Sequence, residues 1–432
     1  MTLAPVPIAA IRSGAFEGKP ARVRGWVHRA RSSGGIVFLV LRDATGLLQA
    51  TVKKGAADDG SFAAAKDLQL EAAVDVEGVA HKDPRAPGGW ELRTAALRVV
   101  GGSHEFPITE DQSVEFLLDK RHLWLRSRKL TNTFRVKAQM LKAFREWFDA
   151  NAFYEVTPSV ITTNACEGGS TLFEFDYFDQ TAFLSQSSQM YLEALIFSLE
   201  RVWCLAPSFR AEKSRTTKHL TEFWHLEAEE AHVDNEGNMR IQEELVAHVA
   251  NAVGARCADE LRELGRDPDD LLRIKPPFKR LHYDEAIDLL KKKGFPIEWG
   301  EDFGQPHERA LVEGETQPIF VTHFPAEIKA FYMERDDSGE HALCADMIAP
   351  EGYGEIIGGS QRSLDVEAMR ERLRKEGAPV EAYEWYFDLR RYGSVPHSGF
   401  GLGTERVLTW LCKNDHIRDA TPFPRTINRA YP

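Results

Sequence analysis

No stretch of about 18 apolar residues occurs in the 432-residue chain, so the sequence predicts no membrane-spanning helix. Its first residues, MTLAPVPIAAIRSG, lack the basic start and the long apolar segment of a secretory signal. Only five cysteines are present, they are widely spaced, and none forms a CxxC pair, so neither a disulfide framework nor a cysteine zinc site is indicated. These absences predict a soluble, cytoplasmic protein whose thiols are buried.

Lysine and arginine are fewer than aspartate and glutamate over the whole chain, which gives a formal net charge of −12. Such a balance argues against a polyanionic partner, but lysine and arginine outnumber aspartate and glutamate within residues 1–104. The hydrophobic content of 43% is enough for a large core, and the chain length indicates two or more domains. We therefore expect a mildly basic N-terminal module followed by a larger acidic body.

The N-terminal module contains five runs with the alternation typical of strands. They cover residues 21–28, 36–42, 47–53, 69–80 and 90–100, and tight turns such as Gly34-Gly35 separate them. Five short strands in about a hundred residues fit an OB-type barrel, a fold that often binds single-stranded nucleic acid. The alternative is another small barrel that packs on the larger domain, with Arg31, Phe38 and Gln49 as ordinary surface and core residues.

Composition shifts divide the chain into a domain over residues 1–104, a linker over 105–130 and a second domain over 131–432. The linker carries Pro107 and a charged amphipathic run. From Thr131 onward, apolar residues recur at helical spacing, and a strand is expected up to Pro158. Residues 235–320 are charged and helical in pattern, and we interpret them as a helical insertion on the surface of the second domain.

The stretch from Pro207 to Glu229 predicts two antiparallel strands joined by a long polar loop. The adjacent charges Arg210 and Glu212 could form an ordinary cross-strand pair. The loop adds several cations, and Phe223 follows it on the returning strand. Cations can hold a polyphosphate and an aromatic face can hold a purine, so this stretch is the first candidate for a nucleotide site.

A second candidate lies in residues 183–205, where a strand and a polar turn precede a helix that starts near Ser187 or Ser188. Polar groups at the beginning of a helix can hold a small ligand. The same serines could equally cap the helix.

Two C-terminal segments add candidates for phosphate and metal binding. Asp346 and Glu355 flank a turn, and a pair of facing carboxylates is suited to a Mg²⁺ ion that carries nucleotide phosphates. Further along, alternate glycines in GFGLGTER leave space for a ligand beside the backbone, and Arg406 at the start of the next helix suits a terminal phosphate. No βαβ unit surrounds these glycines, which excludes a Rossmann dinucleotide site.

Together these segments resemble the three signature motifs of class II aminoacyl-tRNA synthetases, in the asparaginyl and aspartyl branch. The strand ending at Pro158 resembles the first motif, FRAE at 209–212 with Phe223 the second, and GFGLGTER at 399–406 the third. With the N-terminal module, the resemblance covers essentially the whole chain. It implies an α+β fold, in which an OB-type barrel precedes an antiparallel-sheet catalytic domain flanked by helices, and it implies a homodimer.

The resemblance also implies roles for individual residues. ATP is the implied substrate and Mg²⁺ the implied cofactor, with Asp346 and Glu355 as metal ligands and Arg210, Glu212 and Arg406 as catalytic residues. The implied ATP contacts are Arg210, Glu212, His219, Phe223, Glu355 and Arg406. The implied amino-acid contacts are Glu167, Gln189, Glu227 and Arg362. In the barrel, the residues implied to contact the anticodon are Arg31, Phe38 and Gln49.

The amino-acid pocket separates the two branches of this family. Aspartyl members usually carry a lysine where this chain has Leu192, and an aspartate where it has Glu227. A carboxylate without a compensating cation favours asparagine over aspartate. The resemblance therefore implies L-asparagine and tRNA(Asn) as substrates, whereas an aspartyl enzyme, including a non-discriminating one, and a synthetase-derived asparagine synthetase remain the alternatives. Gly358 stands where archaeal-type aspartyl members have a serine, which leaves open how many protein groups contact the metal.

Overall fold

The computed structural model of the chain describes residues 3–109, 111–166, 171–214 and 216–432. It consists of two compact units, Met1–Leu117 and Leu118–Pro432, so the boundary falls inside the predicted linker. Within the described residues, no helix combines the length and the apolar character that crossing a bilayer requires. Each unit has its own hydrophobic core.

The first unit is a closed five-stranded barrel, as the alternating runs predict. Inward-facing residues such as Val37, Leu39 and Leu41 alternate with more exposed ones and fill the barrel, which is the expected consequence of the two-residue period of a strand. The strands follow the order β1-β2-β3-β5-β4. They are β1 (Pro20–Ser33), β2 (Ile36–Asp43), β3 (Gly46–Lys53), β4 (Ala73–Lys82) and β5 (Trp90–Gly101), with helices α1 (Ile8–Arg12) and α2 (Asp59–Asp67).

The second unit is built on an eight-stranded sheet whose strands are mostly antiparallel. Its helices, in chain order, are α3 (Val114–Asp119, which spans the boundary between the units), α4 (Arg121–Trp124), α5 (Arg128–Ala150), α6 (Gln189–Leu199), α7 (Asn235–Arg256), α8 (Ala258–Glu263), α9 (Pro268–Leu272), α10 (Tyr283–Lys292), α11 (Gln305–Leu311), α12 (Val366–Lys375), α13 (Glu384–Arg391) and α14 (Thr404–Leu411). Its strands are β6 (Tyr154–Glu155), β7 (Ile161–Thr162), β8 (Phe173–Tyr177), β9 (Gln180–Leu184), β10 (Arg201–Phe209), β11 (Glu222–Ala231), β12 (Lys279–His282), β13 (Ile319–Thr322), β14 (Cys344–Ala349), β15 (Gly354–Gln361) and β16 (His397–Gly403).

The large sheet has the order β12-β13-β14-β15-β16-β11-β10-β6, and a small sheet has the order β7-β9-β8. The outer pairs β12–β13 and β10–β6 are parallel, and the pairs between them are antiparallel. Helices α5, α7 and α14 pack against the large sheet and form the main core with it. Within this core the ring of Phe148 stacks on Trp203 at 4.4 Å. One face of the sheet is therefore covered by helices.

The predicted surface insertion over residues 235–320 needs correction. Its first part, α7, is a core helix whose buried side chains include Leu245 and Val249, and it contacts β15 and β16. At the other end, β12 and β13 extend the large sheet itself. The charged pattern concealed this arrangement because polar residues such as Gln242 also occupy buried positions on α7.

Candidate functional site

The site is organised around one row of residues that crosses four neighbouring strands. Glu227 on β11 pairs with Gly401 on β16, Gly401 pairs with Gly358 on β15, and Gly358 pairs with Asp346 on β14. Because adjacent strands lie about 4.8 Å apart, the two carboxyl-bearing residues are separated by roughly 14 Å along this row. The two glycines between them, Gly401 and Gly358, have no side chains of their own, and the His225 ring of β11 lies beside Gly401.

A cavity of about 1000 Å³ lies over this row. The structure brings every described candidate of the predicted nucleotide, amino-acid and metal sites into its lining. They are Gln189, Arg210, Glu212, His219, Phe223, Glu227, Asp346, Glu355, Arg362 and Arg406. Glu167, the remaining candidate for the amino-acid pocket, lies outside the described residues.

One end of the cavity combines an aromatic face with two arginines. The strands β10 and β11 pair in register and place the Arg210 guanidinium 5.5 Å from the centre of the Phe223 ring. In the first turn of α14, Arg406 donates through Nη1 to both the backbone oxygen and the carboxylate of Glu355 on β15, each at 3.1 Å. This end can therefore accept a flat ring beside several negative charges.

Glu355 and Asp346 form a pair of neighbouring carboxylates, whose side chains are 37% and 17% exposed. Burial opposes ionisation of Glu355, but the charges of Arg406 and Lys329 outweigh it and hold its pKa below the ordinary value. Burial raises the pKa of Asp346 to about 7, although Lys329 donates to its Oδ2 at 2.7 Å. A methyl group at Gly358 would lie 3.3 Å from Glu355 Oε1 and 3.6 Å from Asp346 Oδ1. One oxygen of each carboxylate thus faces the same small space, and oxygen donors are what Mg²⁺ requires.

The polar loop between β10 and β11 reaches this end of the cavity. His219 bonds Ser214 through Nδ1 at 3.0 Å, and burial together with the charge of Arg406 lowers its pKa. The neutral imidazole therefore adds a polar group without adding charge. Lys218 donates to Glu308, a residue of α11, and so connects the loop to that helix.

The other end of the cavity presents a carboxylate held in a fixed orientation. Glu227 accepts hydrogen bonds from the Ser187 hydroxyl and, at 2.8 Å, from the backbone nitrogen of Ser188. Ser188 precedes α6, so the polar turn predicted as either a ligand site or a helix cap does fix a site carboxylate. Leu192 on the same helix is fully buried against Ile196.

Arg362 lines the same cavity as Glu227 but is already paired. Its Nε and Nη2 each donate to one oxygen of Glu229 at 2.9 Å, and its Nη1 donates to Ser360 at 2.8 Å. Both members of the ion pair are buried. The positive charge of the guanidinium is therefore compensated by Glu229 within the protein. Arg362 can still donate hydrogen bonds to a ligand, but it does not present an uncompensated positive charge.

Sequence reasoning missed a buried network behind this pair. Glu193 on α6 accepts from Tyr386 at 2.7 Å and from Arg390 at 2.6 Å, and it lies 3.0 Å from His397 Nε2. Burial opposes its ionisation, but the charge of Arg390 and the bond to His397 hold its pKa well below the usual range. The sequence did contain one indication of this network, because Glu193 is the only charged residue in the apolar run YLEALIFSL. An unpaired charge is too costly to bury, so a buried acid in such a run predicts a partner elsewhere in the chain.

The alternate glycines of β16 were predicted to leave space for a ligand, but two of them lie against protein side chains. A side chain at Gly399 would collide with the Glu229 carboxylate, and one at Gly401 would lie 2.5 Å from the His225 ring. These two glycines thus leave space for protein side chains of β11 rather than for a ligand alone. Glu229 can approach β16 closely enough to hold Arg362 only because no Cβ intervenes.

On the barrel, the residues proposed for the anticodon share one face. Arg31 on β1 pairs with Phe38 on β2, and its guanidinium lies 4.6 Å from the centre of the Phe38 ring. Phe38 pairs with Thr51 on β3, and Gln49 lies two residues from Thr51 on the same face. Gln49 is only 7% exposed, so little of its side chain is accessible on this face.

Comparison with known proteins agrees with this geometry. Residues 113–427 match the family model of class II tRNA synthetases (D, K and N), and residues 21–100 match that of the OB-fold nucleic acid binding domain. Asparagine–tRNA ligase from Thermococcus gammatolerans is 51% identical over 96% of this chain and 97% of that protein. The crystal structure of asparaginyl-tRNA synthetase from Pyrococcus horikoshii complexed with asparaginyl-adenylate superimposes with a TM-score of 0.96 at 48% identity, covering 100% of both chains.

A structure from the other branch shares the fold less closely. Aspartyl tRNA synthetase from Entamoeba histolytica is 25% identical to this chain and superimposes with a TM-score of 0.84. The alignment covers 100% of this chain and 93% of that protein. The closer likeness lies with the asparagine enzymes at both the sequence and the structural level. The chain therefore belongs to the class II tRNA synthetases of the D, K and N group, and within them to the asparagine–tRNA ligase family.

Proposed function

We propose that the cavity activates L-asparagine with ATP, forming asparaginyl-adenylate and releasing pyrophosphate, and then transfers the asparaginyl group to the 3′ end of tRNA(Asn). The observation that supports this most directly is the row from Glu227 to Asp346. It connects an amino-acid pocket at one end to a polyphosphate pocket at the other across a floor of two glycines. Both substrates can then lie in one cavity with their reacting groups between its two ends.

The first step is an in-line displacement at phosphorus. A carboxylate oxygen of asparagine forms a bond to the α-phosphorus of ATP, the bond to the bridging oxygen breaks, and pyrophosphate leaves with the electron pair. In this proposal Arg210 neutralises the α-phosphate, Phe223 stacks on the adenine, and Arg406 lies toward the terminal phosphate, while Glu212 and His219 complete the nucleotide contacts. No covalent bond to the protein forms, so positioning and charge neutralisation supply most of the rate enhancement.

Mg²⁺ fits the space beside Gly358. Glu355 and Asp346 would hold it, because each turns one oxygen toward that space and the two negative charges repel each other across it. When bound, the ion would neutralise charge on the phosphates. Gly358 has no side chain and so offers no side-chain ligand. The two carboxylates are therefore the protein ligands that we propose from this part of the sheet.

We attribute the selection of asparagine over aspartate to the lack of an uncompensated positive charge in the amino-acid pocket. In the proposal, Glu227 accepts a hydrogen bond from the amide nitrogen of asparagine, and Arg362 donates to the amide oxygen, with Gln189 nearby. Because Glu229 already neutralises Arg362 and Leu192 is apolar, a second substrate carboxylate would enter without a free cation. A buried charge without compensation is strongly disfavoured.

The proposal is tested by ATP–pyrophosphate exchange with asparagine and aspartate in parallel, with Mg²⁺ present and tRNA omitted. We expect exchange with asparagine to exceed that with aspartate by on the order of 10²-fold or more, because the pocket contains the wrong charge for aspartate. Comparable exchange with aspartate would favour an aspartyl or non-discriminating enzyme. Formation of free asparagine from aspartate, ATP and ammonia would favour an asparagine synthetase.

The barrel is proposed to bind the anticodon of the tRNA, with Phe38 stacking on a base and Arg31 and Gln49 beside it. We expect Phe38→Ala to lower kcat/KM for tRNA charging by roughly tenfold or more, since one base stack contributes about 1–3 kcal/mol. Exchange without tRNA should change by less than about twofold, because these residues belong to a separate compact unit.

Arg85→Ala provides the matched control for the barrel. Its side chain is 91% exposed and pairs only locally with Asp83, so its removal should leave both assays unchanged. An equal loss of charging and exchange in Phe38→Ala would contradict the anticodon role.

A homodimer and a cytoplasmic location belong to the same proposal. Exposed apolar residues on β6, β7 and β8 and in the turn after β8 support an association surface. They are Tyr154, Ile161, Phe173, Tyr177 and Phe178, the last of which is 90% exposed. Light scattering of the purified protein would give its mass in solution.

A further inference from the structure

Three imidazoles and two carboxylates meet where β12 and β13 end. His282 is the last residue of β12, His323 follows β13, and His341 forms an isolated bridge with Pro325. Asp284 lies in the first turn of α10, which begins directly after His282. None of these described side chains lines the catalytic cavity. The cluster therefore has no part in the chemistry proposed above.

The geometry of the cluster matches that of a metal site. One ligand atom from each of His282, Asp284 and His341 lies within 4.8 Å of the other two. The Asp284 carboxylate lies between the rings, with Oδ2 3.5 Å from His282 Nδ1 and Oδ1 3.5 Å from His341 Nε2. Ligands about 2.0–2.1 Å from a tetrahedral Zn²⁺ lie roughly 3.3 Å from one another. The observed separations are long for hydrogen bonds and close to this spacing.

Outer contacts already hold two of these ligands in orientation. Asp336 Oδ2 lies 3.2 Å from His341 Nδ1, which directs the opposite ring nitrogen toward Asp284. Trp299 donates through Nε1 to Asp284 Oδ1 at 2.7 Å. A carboxylate behind a ligating histidine is the usual second contact at zinc sites, because it fixes the tautomer and the ring orientation.

We propose that His282, Asp284 and His341 bind one divalent first-row transition metal ion, with Zn²⁺ the best fit. Two imidazole nitrogens and one carboxylate oxygen suit Zn²⁺ and disfavour Mg²⁺, which prefers oxygen donors. Water completes the coordination. The ion joins the beginning of α10 to the 336–341 turn, two segments that are more than fifty residues apart in the chain.

The neighbouring contacts explain why these side chains gather without a metal in place. The His323 ring stacks on His282 at 5.0 Å, and His341 approaches His282 edge-on at 5.0 Å. His282 Nδ1 also accepts a hydrogen bond of 3.2 Å from the backbone nitrogen of Asp284. Binding through this nitrogen exchanges one long hydrogen bond for a metal bond, and the ring stacking keeps the site preformed.

Zinc binding by the full-length protein, freed of metal with a chelator, tests the proposal. Calorimetry with ZnCl₂ in a large excess of Mg²⁺ keeps the Asp346–Glu355 site occupied and reports on the histidine cluster. We expect one Zn²⁺ per chain. His341→Ala should abolish this binding, and Asp336→Asn should weaken it by about 10–100-fold, since the outer partner only orients the ligand.

His248→Ala is the matched control, because His248 is an exposed histidine on α7. It should bind Zn²⁺ like the parent protein. Zinc should also raise the melting temperature of the parent and of His248→Ala but not of His341→Ala. Absence of Zn²⁺ binding in the parent, or unchanged binding in both His341→Ala and Asp336→Asn, would overturn the proposal. Neither result would bear on asparagine activation, which is measured separately.

Discussion

Replacing Arg210 with alanine is expected to lower ATP–pyrophosphate exchange by roughly 10²–10³-fold. Charge shifts onto the oxygens around the α-phosphorus as the carboxylate attacks, and a preorganised cation stabilises that charge. Arg210 occupies the required place, at the end of β10, lining the cavity and lying 5.5 Å from the Phe223 ring. The loss should appear in kcat more than in the KM for ATP, because the contact strengthens in the transition state.

Two further variants separate charge from geometry. Arg210→Lys keeps a cation but loses the planar fork, so its exchange rate should lie between those of the parent and Arg210→Ala. Arg240→Ala removes an exposed arginine of α7 and should leave exchange unchanged. Exchange that is nearly intact in Arg210→Ala would remove Arg210 from the proposed mechanism. A lowered melting temperature in that variant would instead point to a structural role.

Alternation in the sequence was sufficient to predict the barrel and the central hairpin. The five predicted runs correspond to β1–β5, and the stretch from Pro207 to Glu229 forms the paired ends of β10 and β11 with a polar loop between them. These elements are predictable because each strand has one buried face, which imposes a two-residue period. Predictions were weaker where a strand is short. β6 contains only Tyr154–Glu155, although a strand up to Pro158 was expected.

The position of α7 could not be predicted in the same way. Its charged pattern indicated a surface helix, yet Asn238 and Gln242 are buried beside the sheet. Asn238 donates to the backbone oxygen of Gly399, a partner 161 residues away. A polar side chain satisfied by a distant backbone group produces the same sequence pattern as a solvated one, so only the fold distinguishes them.

The motifs predicted residues that the structure brings to one cavity, but they did not predict the ion pairs of those residues. The motifs named Arg362 as a substrate contact, whereas the structure pairs it with Glu229, 133 residues away in the chain. Likewise, Lys329 beside Asp346 and Arg390 beside Glu193 had no local signal. Charge compensation in a folded site depends on which strands become neighbours. That information is spread over the whole chain and is absent from any single motif.

Removing Arg362 is expected to have the second large effect, on both stability and activity. Arg362→Ala leaves Glu229 buried at 1% exposure without its partner, and breaking one side of a buried pair reduces the free energy of unfolding by about 3–5 kcal/mol. Asparagine-dependent exchange should fall below detection, because the proposed donor to the amide oxygen is lost. Urea denaturation measures the first effect and pyrophosphate exchange the second. Arg391→Ala, an exposed arginine with two carboxylate partners, should lower the free energy of unfolding by less than about 1 kcal/mol.

The double variant Glu229→Gln/Arg362→Ala distinguishes the two roles of this arginine. Glutamine removes the charge that Arg362→Ala leaves uncompensated, so much of the lost free energy of unfolding should return. Exchange with asparagine should remain absent, because no donor replaces the guanidinium. Recovery of exchange together with stability would show that Arg362 only compensates Glu229. In that case the selectivity for asparagine would have to arise from Glu227 and Leu192 without it.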